Sequence, residues 1–372
     1  MISKLQILFV FMLPLLNSCV SKFIPVTNED NELLVVQGLI TDQPEADTIK
    51  LSRSLPFGQV SDARPVSGSI VTISDNQGVS VRLMETVAGT YITPAYFHGI
   101  AGLWYTLHIY DNKRNYESIP MEMLSVPPID SLYWEKTVIQ PANGFFPGVD
   151  GCQIYLNTHD PENKCKFYRW SFTETWLFRL PYPVPNQICW ITENSHDINI
   201  KNMTSFSEDR IERYPINYIT NVTDRLQTKY SIIVNQYAVS EDEYNYWQKI
   251  QNVAVQVGSL YDIIPASIPS NIQCIETPSE KVLGYFSVSG KSSKRIFIKD
   301  KFSGIIDRYT NAICIKDTIP YVDPSGLGTS VWILDDEPYH IGPYKITTDN
   351  QGCADCTLRG SNVKPSFWVD DK

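Results

Sequence analysis

A chain of 372 residues that is 43% hydrophobic and 12% aromatic can bury a large core, is long enough for two folded units, and is too apolar to stay disordered. Its formal charge of −10, with the basic residues dispersed, argues against nucleic acid or an anionic lipid surface as the partner.

The chain starts with one positive charge, Lys4, followed by an apolar stretch from Leu5 to Leu16 broken only by Gln6 and Pro14. A bilayer-crossing helix needs about 20 apolar residues, whereas the apolar part of a secretory signal needs about 7–15, so this reads as a signal. An ordinary signal peptidase site has small residues at −3 and −1. Here Leu16-Asn17-Ser18-Cys19 instead resembles a bacterial lipobox, with Asn17 in place of the usual small or hydroxyl residue. That implies cleavage after residue 18, a diacylglycerol on the Cys19 thiol, and acylation (palmitate or a similar chain) of the new amino group. A plain secretory signal or an N-terminal anchor is the alternative. Acyl chains at about 0.8 kcal/mol per buried methylene would hold the protein to a membrane. Residues 19–32 are polar enough to be a tether.

From Leu33 the pattern is β. "LLVVQGLIT" and "TIKLSRS" flank the turn cluster "DQPEAD"; "GSIVTIS" alternates before the turn "DNQG"; "VSVRLME", "GTYIT" and "LWYTLHIYD" follow. Short strands at this spacing predict an immunoglobulin-like antiparallel β-sandwich over 33–127, ended by Pro127-Pro128. The remainder, 128–372, predicts a larger antiparallel β domain, sandwich or barrel-like, with one packed helix.

In that second domain "KFYRWSFTETWLFRL" places Tyr168, Trp170, Phe172, Trp176, Phe178 and Leu180 on one face and Arg169, Ser171, Thr173, Thr175 and Arg179 on the other, as in a long strand. Glu174 interrupts the aromatic face and must be paired there or meet water. Trp170, Glu174 and Trp176 are therefore candidates for a ligand or partner surface, against the alternative of a face packed on its core. "YSIIVNQYAV" is a further strand. A helix is expected over 241–257: Ser240 and Glu243 have capping-box spacing, Tyr244, Trp247, Ile250 and Gln251 share a face, and Gly258 ends the pattern. "VLGYFSVSG" and "KRIFIKD" look like a hairpin, and "CTLRGSNVKPSFW" like a compact finish.

With Cys19 acylated, Cys152, Cys165, Cys189, Cys274, Cys314, Cys353 and Cys356 remain, an odd number, so at least one is free or shared between chains. An oxidising compartment favours disulfides among them. The C-x-x-C spacing of Cys353 and Cys356 is open to a redox pair, half a zinc site with Cys314 and His340, or two separate disulfides.

These runs, with "PPIDSLYW", "YSIIVNQYAVSEDEYNYW", "GSLYD" and "CADCTLRGSNVKPSFW", in this order and spacing, resemble a lipoprotein family of the Bacteroidota labelled domain of unknown function 4249. The resemblance runs from the lipobox to the last aromatic. It implies an outer-membrane lipoprotein often encoded beside TonB-dependent transporters, and it carries no catalytic residues.

No metalloprotease H-E-x-x-H, nucleophile elbow or P-loop is present. The histidines are His98, His108, His159, His196 and His340; His108 falls in a strand, where a structural role is the default. Asp335 to Glu337 could hold a cation but reads better as a solvated loop. Asn202 and Asn221 begin N-glycosylation sequons. Thr48, Ser131 and Thr318, each after an aspartate, resemble the O-glycosylation motif of exported Bacteroidota proteins. The sequence thus predicts a cofactor-free, non-enzymatic binding or accessory lipoprotein of the outer membrane, on the cell surface rather than the periplasmic face, partnered with a β-barrel transporter in nutrient uptake. The alternatives are a structural or assembly component of the envelope and a cryptic hydrolase.

Overall fold

The computed structural model describes residues 32–55, 64–111, 113–139, 149–182, 184–221, 223–256, 268–303, 314, 317–320, 332–335 and 344–370. The signal, Cys19, the tether before residue 32, Gly258, Asp336, Glu337 and His340 lie outside them.

In chain order the first strands are β1 (Leu34–Thr41), β2 (Thr48–Arg53), β3 (Arg64–Pro65), β4 (Ile70–Asp75), β5 (Ser80–Arg82), β6 (Met84–Val87), β7 (Thr90–Ile92), β8 (Trp104–Tyr110), β9 (Asn115–Ser118) and β10 (Met121–Glu122). Next come β11 (Ile129–Ile139), β12 (Val149–His159), β13 (Phe167–Arg179), β14 (Ile188–Asn194), β15 (Asn199–Asn202), β16 (Arg210–Thr220) and β17 (Lys229–Ala238). Helix α1 (Glu241–Gln256) follows, then β18 (Ile272–Cys274), β19 (Val282–Ser289), β20 (Lys291–Ile298), β21 (Asp317–Pro320), β22 (Trp332–Asp335) and β23 (Tyr344–Thr348).

The fold is mainly β, as expected, and takes the sandwich form; no closed barrel forms among the described residues. In the N-terminal sandwich one sheet runs β19-β1-β2-β7-β6 and faces another ordered β18-β9-β8-β4-β5. Period-two alternation places Leu34, Val36, Ile49, Leu51, Val71, Ile73, Leu107 and Ile109 inside, all essentially inaccessible. "VSVRLME" serves both sheets: β5 pairs with β4, the chain turns inward at buried Leu83, and β6 pairs with β7.

The C-terminal sandwich packs the sheet β11-β12-β16 on the sheet β14-β13-β17-β20. Its separate core holds Ile154, Leu156, Tyr168, Trp170, Phe178, Ile232 and Val234. Beyond it, β21, β22 and β23 form a small sheet of their own.

The chain leaves the first sandwich near Pro127-Pro128, where the sequence places a boundary, and later returns to it. β18 pairs with β9, and β19 lies parallel to β1, from Leu34 opposite Val282 to Thr41 opposite Ser289. The second sandwich is therefore inserted into the first. The expected hairpin of "VLGYFSVSG" and "KRIFIKD" does not form: β19 completes one sandwich and β20 pairs with β17 in the other. Buried Asn271 holds β19 in place, accepting from Phe286 N at 2.9 Å and donating to Phe286 O at 2.8 Å. Gly284, at φ +88°, is needed in that pairing, because a Cβ there would lie 1.9 Å from the Val36 carbonyl oxygen.

The tail is bolted to the second sandwich by disulfides Cys189–Cys356 and Cys314–Cys353. The C-x-x-C pair is thus divided between two bridges, which excludes the redox-pair reading and removes the Cys314 and Cys353 thiolates from any zinc site. Cys152, Cys165 and Cys274 are free and buried. Burial pushes the first two thiols up to about 12. Short 3₁₀ turns at Gln351–Cys353 and Cys356–Leu358, capped by Asn350 and Asp355, position the bridges. Trp368 then packs edge-on against Trp190 and Phe297.

Candidate functional site

β13 is the long strand that its period-two pattern predicts, but its aromatic face looks inward. Trp170 and Trp176 are 1% and 3% exposed, so they form no open platform, and the packed-core alternative describes them. Trp170 stacks on Tyr168 with ring centroids 5.6 Å apart and lies 4.3 Å from Tyr214. Its indole N–H donates to Gln236 at 2.9 Å, and Gln236 donates in turn to Pro127 O and Thr158 Oγ1, each at 2.9 Å. A large aromatic with one polar atom is thereby satisfied in the core.

Glu174 is paired, as an intruder on an aromatic face must be. Tyr230 donates to it at 2.7 Å, Asn217 at 3.2 Å, and the Arg225 guanidinium lies 3.0 Å away. Burial nonetheless raises its carboxyl above the ordinary range, outweighing the Tyr230 and Arg225 contributions. Glu193 sits directly opposite on β14, so two like charges share a cross-strand position and Arg225, 3.5 Å from Glu193, bridges them.

Around that bridge lies a small polar pocket of about 220 Å³, lined by Trp176, Ile191, Glu193, Thr223, Asp224, Arg225 and Arg359. Arg359 comes from the tail, fixed by the neighbouring Cys356 bridge, and pairs with buried Asp224 at 2.7 Å. The Trp176 indole N–H is buried with no hydrogen-bond partner among the described residues.

A larger, open cleft of about 540 Å³ lies where the sandwiches meet. One wall is Gly102 and Glu122–Ser125 of the first unit; the other is Lys164–Phe167 and Ala238–Glu241 of the second. Cys165 is part of this wall, with its thiol against the Phe167 carbonyl at 3.8 Å. Beneath the wall Ser289 Oγ donates to Ala238 O at 2.7 Å and Gly290 N to Leu124 O at 2.9 Å, tying the two units at the crossover.

Helix α1 closes the joint. Its N-terminus is half of the expected capping box: Glu243 N donates to Ser240 Oγ at 3.2 Å. The Glu243 side chain, however, turns inward and is fully buried. It accepts from Ser287 Oγ of β19 at 2.7 Å and from Trp247 Nε1 at 3.0 Å, and faces Arg169 Nε of β13 at 3.6 Å. Arg169 lies between aromatic rings, 4.5 Å from the Tyr237 centroid and 5.0 Å from that of Trp247. One carboxylate thus joins strands of both sandwiches to the helix. Burial raises its carboxyl, against the pull of Arg169.

The model of the family described as a domain of unknown function (DUF4249) matches residues 20–295, most of the chain. The chain belongs to that family. The DUF4249 match takes in both sandwiches, α1 and the strands that return to the first unit, and ends within β20. Arg359 and the disulfide-bolted tail lie beyond it. No curated protein matches the chain.

Other sequence candidates lie apart from these features. Thr48 is in β2, between β1 and β7, after an Asp47 carboxylate already accepting from Thr41 N at 2.8 Å. Ser131 is half-buried in β11, and Thr318 falls in β21. His108 has the structural setting expected of it, 2.8 Å from Ser74 Oγ and 3.4 Å from Glu117. Asn221 is buried and donates to Ser303 O at 2.8 Å, which takes it out of reach as a glycan acceptor. Among the described residues no group of three or more metal-ligating side chains converges, and no helix is long and apolar enough to cross a membrane. Arg169, Ser287, Arg225 and Arg359 are absent from the sequence candidates; only Glu174, set on the aromatic face of β13, signals that a partner stands near it.

Proposed function

We propose that this protein is a lipid-anchored, non-enzymatic binding or accessory subunit at the outer surface of the outer membrane, working beside a TonB-dependent transporter in nutrient uptake. The observation that carries this is the 540 Å³ cleft, open to solvent and walled by two sandwiches that the Ser289–Ala238 and Gly290–Leu124 hydrogen bonds and the buried Glu243–Arg169 joint tie together. A preformed cleft needs little ordering when a partner or cargo enters, which favours capture. The lipobox-like Leu16-Asn17-Ser18-Cys19 and the resemblance to Bacteroidota lipoproteins encoded beside such transporters supply the anchor and the company. Replacing Cys19 by alanine is expected to abolish lipid labelling and release the folded protein from membranes. Unchanged membrane retention without an acyl chain contradicts the anchor. In the lipidated protein, Ser125→Trp at the cleft wall is expected to leave anchoring intact and weaken recovery of the transporter.

A further inference from the structure

In the N-terminal sandwich β5 stands at the opposite end of its sheet from β18, with β4 as its one partner among the described strands. Leu83 N donates to Val71 O and Asp75 N to Val79 O, each at 2.9 Å, so in this register residues 79, 81 and 83 turn their backbone groups toward β4. In an antiparallel ladder the residues between them turn theirs the other way. The N–H and C=O groups of Ser80 and Arg82 therefore point out of the sheet edge, two residues apart, as a further strand needs them. Both residues are exposed, and Val79 and Met84 beside them are 56% and 60% exposed. The neighbouring edge strand is guarded and β5 is not. β6 carries a bulge between Glu85 and Val87, and the Glu85 carboxylate turns back to accept from Gly68 N and Gly89 N, each at 2.8 Å. β5 has an unbroken register and no proline, and an edge in that state is a template for another chain.

Charge selects the occupant. Arg82 makes no ion pair among the described residues, and the nearby Asp75 carboxylate is engaged by Gln77 N and Val79 N, each at 2.9 Å. A second copy paired antiparallel about Val81 would satisfy the outward groups of Ser80 and Arg82, but it would set the two Arg82 side chains diagonally on one face, where like charges repel. A strand that brings a carboxylate beside Arg82 is favoured instead. Its alternate side chains lie on the inner side, next to Val79 and Val81, and there must be apolar.

We propose that β5 takes up an extended segment of a partner protein by antiparallel strand addition, the segment alternating apolar residues toward the sandwich interior with acidic residues beside Ser80 and Arg82. This edge is separate from the junction cleft, so the inference goes beyond the capture role and does not depend on it.

The test is fluorescence anisotropy of a labelled, end-blocked peptide, Thr-Val-Asp-Val-Glu-Val-Thr, with the purified mature protein in detergent. Saturable one-to-one binding is expected, at least tenfold tighter than for the same peptide with lysine at both acidic positions. N-methylation of the peptide's Asp and Glu amides, which exchange bonds with Ser80 and Arg82, is expected to abolish binding, and N-methylation of its central valine to be tolerated. Ser80→Pro and Arg82→Pro each remove an outward N–H and leave the β4 ladder intact, and each should weaken binding at least tenfold with a melting temperature near that of the parent. Arg82→Glu should reverse the preference in favour of the lysine peptide, and Ser125→Trp in the cleft should change nothing. No saturable binding of the acidic peptide overturns the proposal. So do binding that ignores the prolines or the N-methyl groups at Asp and Glu, and a lysine peptide that binds the parent equally well. A dimer in sedimentation velocity that Ser80→Pro dissociates also overturns it, by assigning the edge to a second copy.

Discussion

Glu243→Ala removes a helix side chain that touches both sandwiches. The parent carboxylate is fully buried and holds hydrogen bonds from Ser287 and Trp247 besides its contact with Arg169. Without it the Arg169 guanidinium, on a side chain 14% exposed, keeps its aromatic neighbours and loses its counter-charge. Breaking one side of a buried pair costs about 3–5 kcal/mol, mainly through the charge left behind. The raised carboxyl of Glu243 shows that desolvation outweighs attraction within the intact pair, so removing both charges is far less damaging than removing one. Equilibrium urea unfolding followed by tryptophan fluorescence, with the disulfides kept oxidised, is therefore expected to show a loss of about 3–5 kcal/mol for Glu243→Ala and recovery to within about 1 kcal/mol of the parent for Glu243→Leu with Arg169→Met. A single-variant loss below about 1 kcal/mol, or a double variant no better than the single, refutes the reasoning.

Burial pushes the Asp47 carboxyl up to about 7, against its hydrogen bonds from Thr41, so the folded protein holds this proton more tightly than the unfolded chain. Its contribution to stability is full below the ordinary carboxylate range and is lost as pH rises toward 7; Asp47→Asn should match the parent in urea titrations near pH 4 and exceed it near pH 8. Peptide mapping under non-reducing conditions should recover Cys189 with Cys356 and Cys314 with Cys353, and Cys189→Ser should cost about 5 kcal/mol, given a 167-residue separation between the bridged cysteines. Cys152, Cys165 and Cys274 should resist iodoacetamide in the folded protein and react on unfolding, because each is buried and its thiol is raised.

Local patterns carried much of this fold. The β1 and β2 hairpin, the long β13 and helix α1 were legible because alternation, turn residues and a cap are written within a few neighbours. The parallel pairing of β1 with β19 was not, since no turn joins strands so far apart and "VLGYFSVSG" followed by "KRIFIKD" has the form of an ordinary hairpin. Its residues are buried on both faces, a pattern that periodicity cannot assign to one sheet. The polar face of β13 was legible as polar but not as covered: α1 lies over Arg169, and Thr175 is fully buried. Glu174 announced a partner without naming Arg225, which comes from the segment between β16 and β17. Glu243 read as a cap because its spacing from Ser240 is correct, and only the folded chain brings Ser287 and Arg169 to its side chain.

The most direct measurement of the proposed role is recovery of the native, lipidated protein from outer membranes in mild detergent, with partners identified by mass spectrometry. A β-barrel transporter recovered in near-stoichiometric amount, and depleted when Ser125→Trp fills the junction cleft, is the predicted result. A monodisperse protein recovered without a barrel partner, or a barrel whose recovery ignores the cleft, contradicts it.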